Sequence, residues 1–355
     1  MSLEAGMAAL HMKFTDTVPR TEYSAHMHWP LVKKVTGIDT DIISNRKAAS
    51  SKFVEKWDYA FFWKIYVQKQ FLLRNGGRIT KMGHAVYSEK EGGESDYCSD
   101  ITNPFEDIDE ALELDCMEEY GEFRHKELVN ELEEAYALLK IEYPSTLVCG
   151  GIYITMFSGL IEIFGWDVLL SAMAMDEEKF GKVIESYFRW VRQFFIAYSE
   201  SNIPVIISHD DLCWTNGPVT NPAWYRRYIF PYIKKLWEPI KEAGKKIIFT
   251  SDGDCTLFFD DIIGCGADMV VLEPHSDMRL FAEKYGKTHG FVGNADTRIL
   301  LTGTKEDIYR EVERCMNIGK KYPGYILSVG NHIPLNTPLD NALYYNEAYE
   351  IMCKR

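Results

Sequence analysis

The sequence has little positive charge and lacks the common nucleotide-binding motifs. Its 355 residues include 39 Lys and Arg against 53 Asp and Glu, which gives a formal net charge of −14 at pH 7. A surface with that charge repels polyanions, so nucleic acid and anionic membranes are not expected as partners. Neither GxGxxG nor GxxxxGK followed by Ser or Thr occurs. Their absence argues against a dinucleotide-binding fold and against a P-loop.

Paired cysteines and membrane-spanning runs are also missing. The eight cysteines lie far apart and form no CxxC pair, which favours reduced thiols in a cytoplasm. No secretory signal is recognised near the N-terminus, and no apolar run approaches the ~20 residues that cross a bilayer. We therefore expect a cytoplasmic protein, and its 46% hydrophobic content is enough for a large buried core.

What the chain does contain, from residue 146 onward, is a regular alternation of short apolar strands and helical patterns. Residues 245–272 give the clearest unit: an apolar strand, an acidic turn, a short helix and a second strand. About six strand–helix pairs follow one another at the ~30-residue spacing of βα units. This spacing predicts an α/β fold, a (β/α)8 TIM barrel with an N-terminal helical or irregular extension. We expect a single barrel domain over residues 1–355, with the extension and the first barrel elements in residues 1–140.

The first 140 residues carry weaker signals. Residues 44–71 are rich in aromatic side chains, and their density predicts a long helix covered by other structure. Core packing is one interpretation of this segment, and one wall of an apolar pocket is the other. Residues 76–115 predict loops, with a hairpin around residues 79–87.

Polar side chains follow five consecutive strands of the predicted barrel. Ligands of α/β barrels bind at the carboxyl ends of the strands, so these groups are the candidate site. They are His209, Asp210 and Asp211; Thr250, Ser251 and Asp252; Glu273 and His275; Asn294 and Asp296; and Asn331 and His332. The structural alternative, in which Asp252 and Gly253 only shape a turn and cap a helix, stays open.

Crowded acids at one rim need a metal, a cationic substrate or raised pKa values to compensate their repulsion. Carboxylates with a histidine could bind Zn²⁺ or another divalent ion, or act as proton donors. We assign catalysis to Asp211 and Asp252. We assign substrate binding to His209, Trp214, Asn294 and Asp296, and metal binding to Asp252, Glu273 and His332. Cys213 and Cys255, one turn beyond their strands, could supply thiolate or be buried and inert.

Several motifs in this order resemble the uroporphyrinogen decarboxylase superfamily. They are Asp211 followed by NGPVTNP at residues 216–222, Ser251-Asp252-Gly253, GNADT at residues 293–297, and GNHIP at residues 330–334. The resemblance covers roughly residues 140–355. It implies a (β/α)8 barrel whose site lies at the carboxyl ends of the strands.

The superfamily divides into tetrapyrrole decarboxylases and corrinoid-linked methyltransferases, and two departures from its motifs bear on the choice. The decarboxylases carry an RQAGRY-type motif whose arginines receive substrate carboxylates, whereas residues 16–28 contain only Arg20. The methyltransferases that act on coenzyme M bind zinc through His-x-Cys at one strand end. Thr250 and Asp252 stand at those positions, so a metal would be held by oxygen and nitrogen instead.

The resemblance therefore implies a methyltransferase that moves a methyl group between a small methylated substrate and a corrinoid protein. A quaternary amine suits the acidic rim, and a methoxylated aromatic suits the aromatic segment. Zinc or another divalent metal is the expected cofactor, together with a corrinoid carried on the partner protein. The alternatives are a uroporphyrinogen-III-type decarboxylase acting on a tetrapyrrole or other cyclic carboxylate, and a corrinoid- or tetrapyrrole-binding protein without catalysis. Family members are often dimers, so a homodimer is also expected.

Overall fold

The computed structural model describes residues 2–80 and 103–355 and, between them, two short paired strands. The described strands are β1 (Phe61–Phe62), β2 (Val86–Tyr87), β3 (Ser95–Asp96), β4 (Leu147–Val148), β5 (Gly150–Ile152), β6 (Val205–His209), β7 (Cys213–Trp214), β8 (Gly217–Pro218), β9 (Lys246–Thr250), β10 (Met269–Leu272), β11 (Gly290–Gly293) and β12 (Tyr325–Ile326). The pair β2–β3 is antiparallel. The hairpin predicted around residues 79–87 falls mostly outside the described residues.

Helices surround these strands, and half of the described helices come next after a strand in the chain. They are α1 (Ser2–Leu10), α2 (Trp29–Thr36), α3 (Arg46–Lys56), α4 (Gln70–Leu73), α5 (Ile108–Leu112), α6 (Cys116–Tyr120), α7 (His125–Glu142), α8 (Phe157–Met175), α9 (Glu177–Glu200), α10 (Pro222–Tyr228), α11 (Phe230–Glu242), α12 (Phe259–Cys265), α13 (Met278–Tyr285), α14 (Thr297–Thr302), α15 (Lys305–Gly319) and α16 (Leu339–Met352). Short 3₁₀ turns occur at Ala25–Met27, Ile43–Asn45 and Thr256–Phe258.

The sheet is parallel and closes on itself. Six strands pair side by side in the order β12-β11-β10-β9-β6-β5, and β1 pairs in parallel with β4, which continues into β5. Arg20 forms parallel bridges to both Tyr59 and Leu327. The Thr21 amide donates to the Leu327 carbonyl at 3.0 Å, and the Ala60 amide donates to the Arg20 carbonyl at 2.7 Å. Residues 19–21 are thus the eighth strand, and the predicted (β/α)8 barrel is confirmed.

Alternating side chains of each strand separate an inner from an outer core, as strand geometry requires. In β6, Val205 and Ile207 pack in the barrel interior, whereas Ile206 packs outward against the helices. The other strands contribute to the interior Phe61, Leu147, Cys149, Ile248, Met269, Val271, Val292 and Ile326. The apolar runs of the sequence are therefore buried on both faces, as is typical of parallel sheets.

The predicted helix over residues 44–71 is wrong in its second half. Helix α3 ends at Lys56, Asp58 has φ of 52°, and Phe61–Phe62 is a barrel strand that pairs with Leu147–Val148. The aromatic density of this segment reflects two-sided burial, because Phe61 faces the interior core and Phe62 the outer one. Such density does not distinguish a buried strand from a buried helix.

One described helix, α8, is long and apolar enough to cross a membrane by length and composition. In the structure 72% of its apolar window is buried within the protein. The helix also has a non-helical residue, Gly165, with φ of 64°. A helix with these properties packs as part of a protein core, so its hydropathy is weak evidence for a membrane span.

Candidate active site

A cavity of about 150 Å³ opens at the carboxyl ends of the strands. It lies where parallel strands deliver their following residues, as expected for a barrel of this kind. The lining side chains come from both ends of the chain. They are Tyr23, Trp63, Tyr153, His209, Thr250, Asp252, Val329, Gly330, Asn331 and His332.

Three potential metal ligands meet beside this cavity. One ligand atom each from His209, Asp211 and Asp252 lies within 4.8 Å of the other two, in a group found among the described residues. The His209 Nε2 and Asp211 Oδ1 atoms are 2.6 Å apart, and the Asp252 amide donates to the same Asp211 oxygen at 3.4 Å. His209 and Asp211 are buried and Asp252 is exposed, so the group has one side open to solvent.

Strand pairing explains why these residues meet. Strands β6 and β9 are neighbours, with His209 opposite Thr250, so Asp211 and Asp252 follow adjacent strand ends two residues further on. The Asp211 amide donates to Ser158 Oγ at 2.7 Å. The Leu212 amide donates to Ser251 Oγ at 3.0 Å. These bonds hold the Asp211 backbone in place from both sides.

The neighbouring carboxylate, Asp210, has a structural role instead. It is fully buried, and its two oxygens accept hydrogen bonds from the backbone amides of Ser158 and Met156 at 2.7 and 3.1 Å. It therefore caps the start of α8. Burial raises the pKa of Asp210 to about 7 against these stabilising bonds.

Aromatic side chains form much of the cavity wall beside the three ligands. The rings of Tyr23 and Trp63 meet edge to face with centroids 5.4 Å apart. The ring centroids of Tyr153 and His209 are 4.2 Å apart. The pKa of Tyr153 is raised by burial first and then by the charges of Asp211 and Asp252. Burial and the charge of Asp252 raise the pKa of Tyr23 in the same way. Both hydroxyls are therefore neutral donors at physiological pH.

The structure groups a different set of ligands from the predicted metal set of Asp252, Glu273 and His332, and the two sets share only Asp252. Glu273 accepts a hydrogen bond from the Gly253 amide at 2.7 Å and another from the Asn331 side-chain amide. The His332 ring lines the cavity from another side and packs edge to face on Tyr23 at 4.4 Å. Both residues lie at the predicted rim, but their side chains are not in the three-ligand group.

Of the predicted substrate-binding residues, one lines the cavity and the other three lie outside its described lining. His209 lines the cavity. Trp214 is half exposed and packs on Trp166 at the rim. Asn294 is buried, where its amide donates to the Glu273 and Ser276 carbonyls.

Asp296 caps α14 by accepting from the Arg298 amide at 2.9 Å, and it pairs with the Arg298 side chain at 2.7 Å. That pairing and the cap lower the pKa of Asp296 against the opposing effect of burial. Neither Asn294 nor Asp296 belongs to the described cavity lining.

The two thiols near the site are buried. Cys213 and Cys255 are 3% and 4% exposed, and a hydrogen bond to Cys255, together with burial, raises the pKa of Cys213. The Cys255 thiol lies 3.8 Å from the Asp252 carbonyl, which accepts its hydrogen bond. A neutral, buried Cys213 is a poor metal ligand, which favours the inert interpretation of this cysteine.

Arg20 does not reach the cavity. Its side chain is 1% exposed, forms an ion pair with Glu22 at 3.4 Å and lies over the rings of Trp57 and Tyr349. The only arginine between residues 16 and 28 therefore stabilises the closure of the barrel. No Lys or Arg is among the described residues that line the cavity.

The residues that the sequence interpretation missed also follow the carboxyl ends of barrel strands, where ligand-binding residues of such barrels lie. Tyr23, Trp63 and Tyr153 each come one or two residues after a barrel strand, at residues 19–21, Phe61–Phe62 and Gly150–Ile152. The first two strands are only two or three residues long, too short for a periodicity signal. Because these two strands were not predicted, the sequence did not show that Tyr23 and Trp63 lie at the rim of the barrel.

The half-buried His332 gives a prediction about acid stability. Burial lowers its pKa from 6.5 to about 4, so below about pH 6.5 the unfolded chain binds a proton that the folded protein does not. The stability associated with neutral His332 is complete above that pH and falls as the pH approaches 4. We expect His332→Gln to lose less thermal stability than the wild type between pH 6.5 and 4.5.

Thermal denaturation across this pH range measures the effect. The exposed His125, paired with Glu200 on the outer helices, supplies the control variant His125→Gln, which should follow the wild type. Buried His26, whose pKa is also lowered to about 4, remains in all three proteins. Equal slopes for His332→Gln and the wild type would contradict the prediction.

The barrel and its rim of carboxylates and histidine place the chain in the class of α/β-barrel proteins with a ligand site at the strand carboxyl ends. Residues 81–350 match the family model described as uroporphyrinogen decarboxylase (URO-D). The chain belongs to this family, and the match extends further toward the N-terminus than the region that carries the sequence resemblance.

Curated proteins of the same family are similar to this chain in sequence. The chain is 27% identical over 226 residues to uroporphyrinogen decarboxylase of Thermus thermophilus. The aligned region covers 62% of this chain and 64% of that protein. It is 26% identical over 170 residues to the enzyme of Carboxydothermus hydrogenoformans, 48% of this chain and 46% of that one. The matches thus span less than two thirds of these relatives.

A methyltransferase from Methanosarcina mazei has a similar structure, with a TM-score of 0.65 over 99% of this chain and 98% of that chain. The sequence identity is 16%, so this likeness shows the fold alone.

Proposed function

We propose that this URO-D family protein is a methyltransferase that moves a methyl group between a small methylated substrate, of methoxy-aromatic or methylamine type, and a corrinoid protein. The observation that carries the proposal is the cavity: three aromatic side chains and the His209–Asp211–Asp252 group adjoin it, and the described lining has no Lys or Arg. Asp211 and Asp252 are its proposed catalytic residues.

The size of the cavity favours a small substrate. Its volume is about 150 Å³, close to the size of a cavity that holds one benzene molecule. Pockets for larger organic ligands commonly measure about 300–1,000 Å³. A ring of four substituted pyrroles is larger than this cavity.

The charge of the cavity also disfavours a tetrapyrrole substrate. A tetrapyrrole substrate with many carboxylates needs Arg or Lys at its site, whereas this rim presents Asp211 and Asp252. Arg20, the one arginine near the position of the family's arginine-rich motif, is buried in the barrel closure. Anionic substrates would therefore be repelled.

The chemistry of the donor set fits a divalent ion that prefers oxygen and nitrogen. His209, Asp211 and Asp252 offer one imidazole nitrogen and two carboxylates, and the two buried cysteines are bonded elsewhere. When bound there, such an ion would supply Lewis acidity toward a substrate oxygen. A thiolate-rich zinc site is not provided by these residues.

The two substrate types correspond to two states of the three ligands. His209, Asp211 and Asp252 would hold a divalent ion, which would offset the charge of the two carboxylates and suit a neutral methoxylated ring beside Tyr23, Trp63 and Tyr153. With no ion bound, the two negative charges and the aromatic faces form a site for a methylated ammonium group, which such cages bind. In both states the aromatic walls exclude water and orient the methyl group toward the open side.

The names of the curated relatives support the alternative, a uroporphyrinogen-III-type decarboxylase. Their identity is 26–27% over part of the chain, and the family itself is shown by the match of residues 81–350 to the family model. The cytoplasmic location, the single-domain organisation and a homodimer remain predictions.

Metal analysis with two activity assays tests the function. We expect about one equivalent of a divalent metal per chain if the substrate is a methyl ether, and loss of that activity after chelation with recovery on adding metal back. Methyl transfer from methoxybenzenes and from tetramethylammonium to free cob(I)alamin is followed by its absorbance change. Decarboxylation of uroporphyrinogen III is measured in parallel, and we expect none.

Turnover of uroporphyrinogen III by metal-free protein would overturn the proposal in favour of the decarboxylase. Absence of both activities together with tight corrinoid binding would point to a non-catalytic binding protein. Methyl transfer from tetramethylammonium without metal would retain the methyltransferase and identify the ammonium class.

A further inference from the structure

Glu273 occupies the centre of the rim and connects the ends of four barrel strands. It directly follows β10, and its side chain is 9% exposed. One carboxylate oxygen accepts from the Gly253 amide after β9 at 2.7 Å, and the other accepts from the Asn331 side chain after β12. Its backbone carbonyl accepts from Asn294 after β11 at 3.0 Å.

The partners of Glu273 adjoin the proposed site on two sides. Gly253 follows Asp252, one of the three ligands, and its φ of 78° is a conformation that suits glycine. Asn331 lines the cavity, and its side-chain oxygen accepts from the His332 amide at 2.7 Å. A single carboxylate therefore controls the turn that carries Asp252 and the turn that carries His332.

The packing leaves little freedom for this arrangement. A Cβ atom added at Gly330 would lie 2.7 Å from the Glu273 Cα, so the turn after β12 packs directly on the backbone of Glu273. The two turns cannot move apart without breaking a hydrogen bond to the same side chain.

We propose that Glu273 is a positioning residue that fixes the distance between Asp252 and the Asn331–His332 wall, and that it is not a metal ligand. The inference rests on the proposed function for the site it organises. It replaces the ligand role predicted for Glu273 from the sequence.

Hydrogen-bond chemistry makes Glu273→Gln a precise test. Both partners are donors, and a glutamine offers one acceptor oxygen and one NH₂ group, so it can satisfy only one of them. If the Asn331 amide turned over to accept from the glutamine, the His332 amide would lose its own acceptor. One of the two turns must loosen, although the side chain keeps its shape.

The experiment measures binding of Zn²⁺ and Mn²⁺ alone by isothermal titration calorimetry. We expect Glu273→Gln to retain one site per chain with an affinity lowered about tenfold, the lower end of the effect of residues that support metal ligands. Asp252→Asn should lose the site altogether. KM for the methylated substrate should rise more than kcat falls, because Glu273 shapes the wall and does not touch the reacting atoms.

Asp268→Asn is the matched control. Asp268 precedes the same strand at its opposite end and accepts from the Ile247 amide of β9 at 2.9 Å. It also pairs with Lys241 and Lys246, so its replacement disturbs the strand at least as much as Glu273→Gln does, but far from the cavity. Its variant should keep metal affinity and KM at wild-type values. A loss of affinity in Asp268→Asn equal to that in Glu273→Gln would show a general effect of strand damage and overturn the inference.

Asn331→Ala removes the same bond from the other side. Where Glu273→Gln does not fold, Asn331→Ala alone should lower metal affinity about tenfold. Its effect on KM should be non-additive with that of Glu273→Gln, because both changes break one bond. Equal loss of metal in Glu273→Gln and Asp252→Asn would make Glu273 a ligand and refute the positioning role. Wild-type metal binding by Asp252→Asn would instead refute the proposed site while leaving the Glu273 bonds intact.

Discussion

Replacing Asp252 with Ala should abolish methyl transfer and metal binding together. Asp252 is the exposed member of the three-ligand group and also lines the cavity, so under the proposed function it would contact both the ion and the substrate. Residues that only support a ligand change metal affinity by about 10–100-fold, and loss of a ligand should exceed that. We expect methyl transfer to fall by at least about a hundredfold, measured as initial rates with saturating metal.

The neighbouring acid provides the control for this change. Asp254 lies in the same turn, but its carboxylate accepts from the Thr256 amide at 3.0 Å and starts the 3₁₀ turn that follows. Asp254→Ala should therefore reduce stability slightly and leave metal binding unchanged. Full turnover by Asp252→Ala, with Asp254→Ala behaving alike, would remove Asp252 from the site.

Replacing Arg20 with Ala should produce the largest loss of stability among single changes outside the cavity. Arg20 and Glu22 are 1% and 0% exposed, and burial raises the pKa of Glu22 even with Arg20 beside it. Removing the cation leaves a buried carboxylate without its counter-charge, which costs about 3–5 kcal/mol in comparable buried pairs. Urea denaturation monitored by tryptophan fluorescence measures the change in the free energy of unfolding.

A surface pair calibrates the Arg20 result. Arg298 is 63% exposed in its pair with Asp296, so Arg298→Ala should cost less than about 1 kcal/mol. The double variant Arg20→Met with Glu22→Gln should recover part of the stability lost in Arg20→Ala, because it removes the unpaired charge. Equal stabilities for Arg20→Ala and Arg298→Ala would show that closure of the barrel does not depend on the buried pair.

The fold was largely predictable because six of its eight strands are followed by helices at regular spacing. The remaining two were not, for a physical reason. Residues 19–21 are held by bonds to Leu327, about three hundred positions away in the chain, and Phe61–Phe62 is held by Leu147–Val148. Segments so short have no pattern of their own, and their conformation is imposed by partners that are distant in sequence.

The site was predictable at the level of strand ends but not of side-chain directions. Adjacent parallel strands bring Asp211 and Asp252 together wherever their side chains point, because their backbones are neighbours. Whether Glu273 faces the ligands or the Gly253 amide depends on the local turn, which strand order does not specify. The His209 Nε2 and Asp211 Oδ1 atoms are 2.6 Å apart. Residues two apart in an extended segment share a face, so this contact could be expected from the sequence.

The closure of the barrel through residues 19–21 has a consequence for synthesis on the ribosome. Strands β4 to β11 can pair in the order in which they emerge, but the segment near Arg20 has no partner on one side until Leu327 has left the exit tunnel. A nascent chain would therefore expose an open sheet edge during most of its translation. Chaperones that bind such edges should stay associated with the chain until its synthesis is nearly complete.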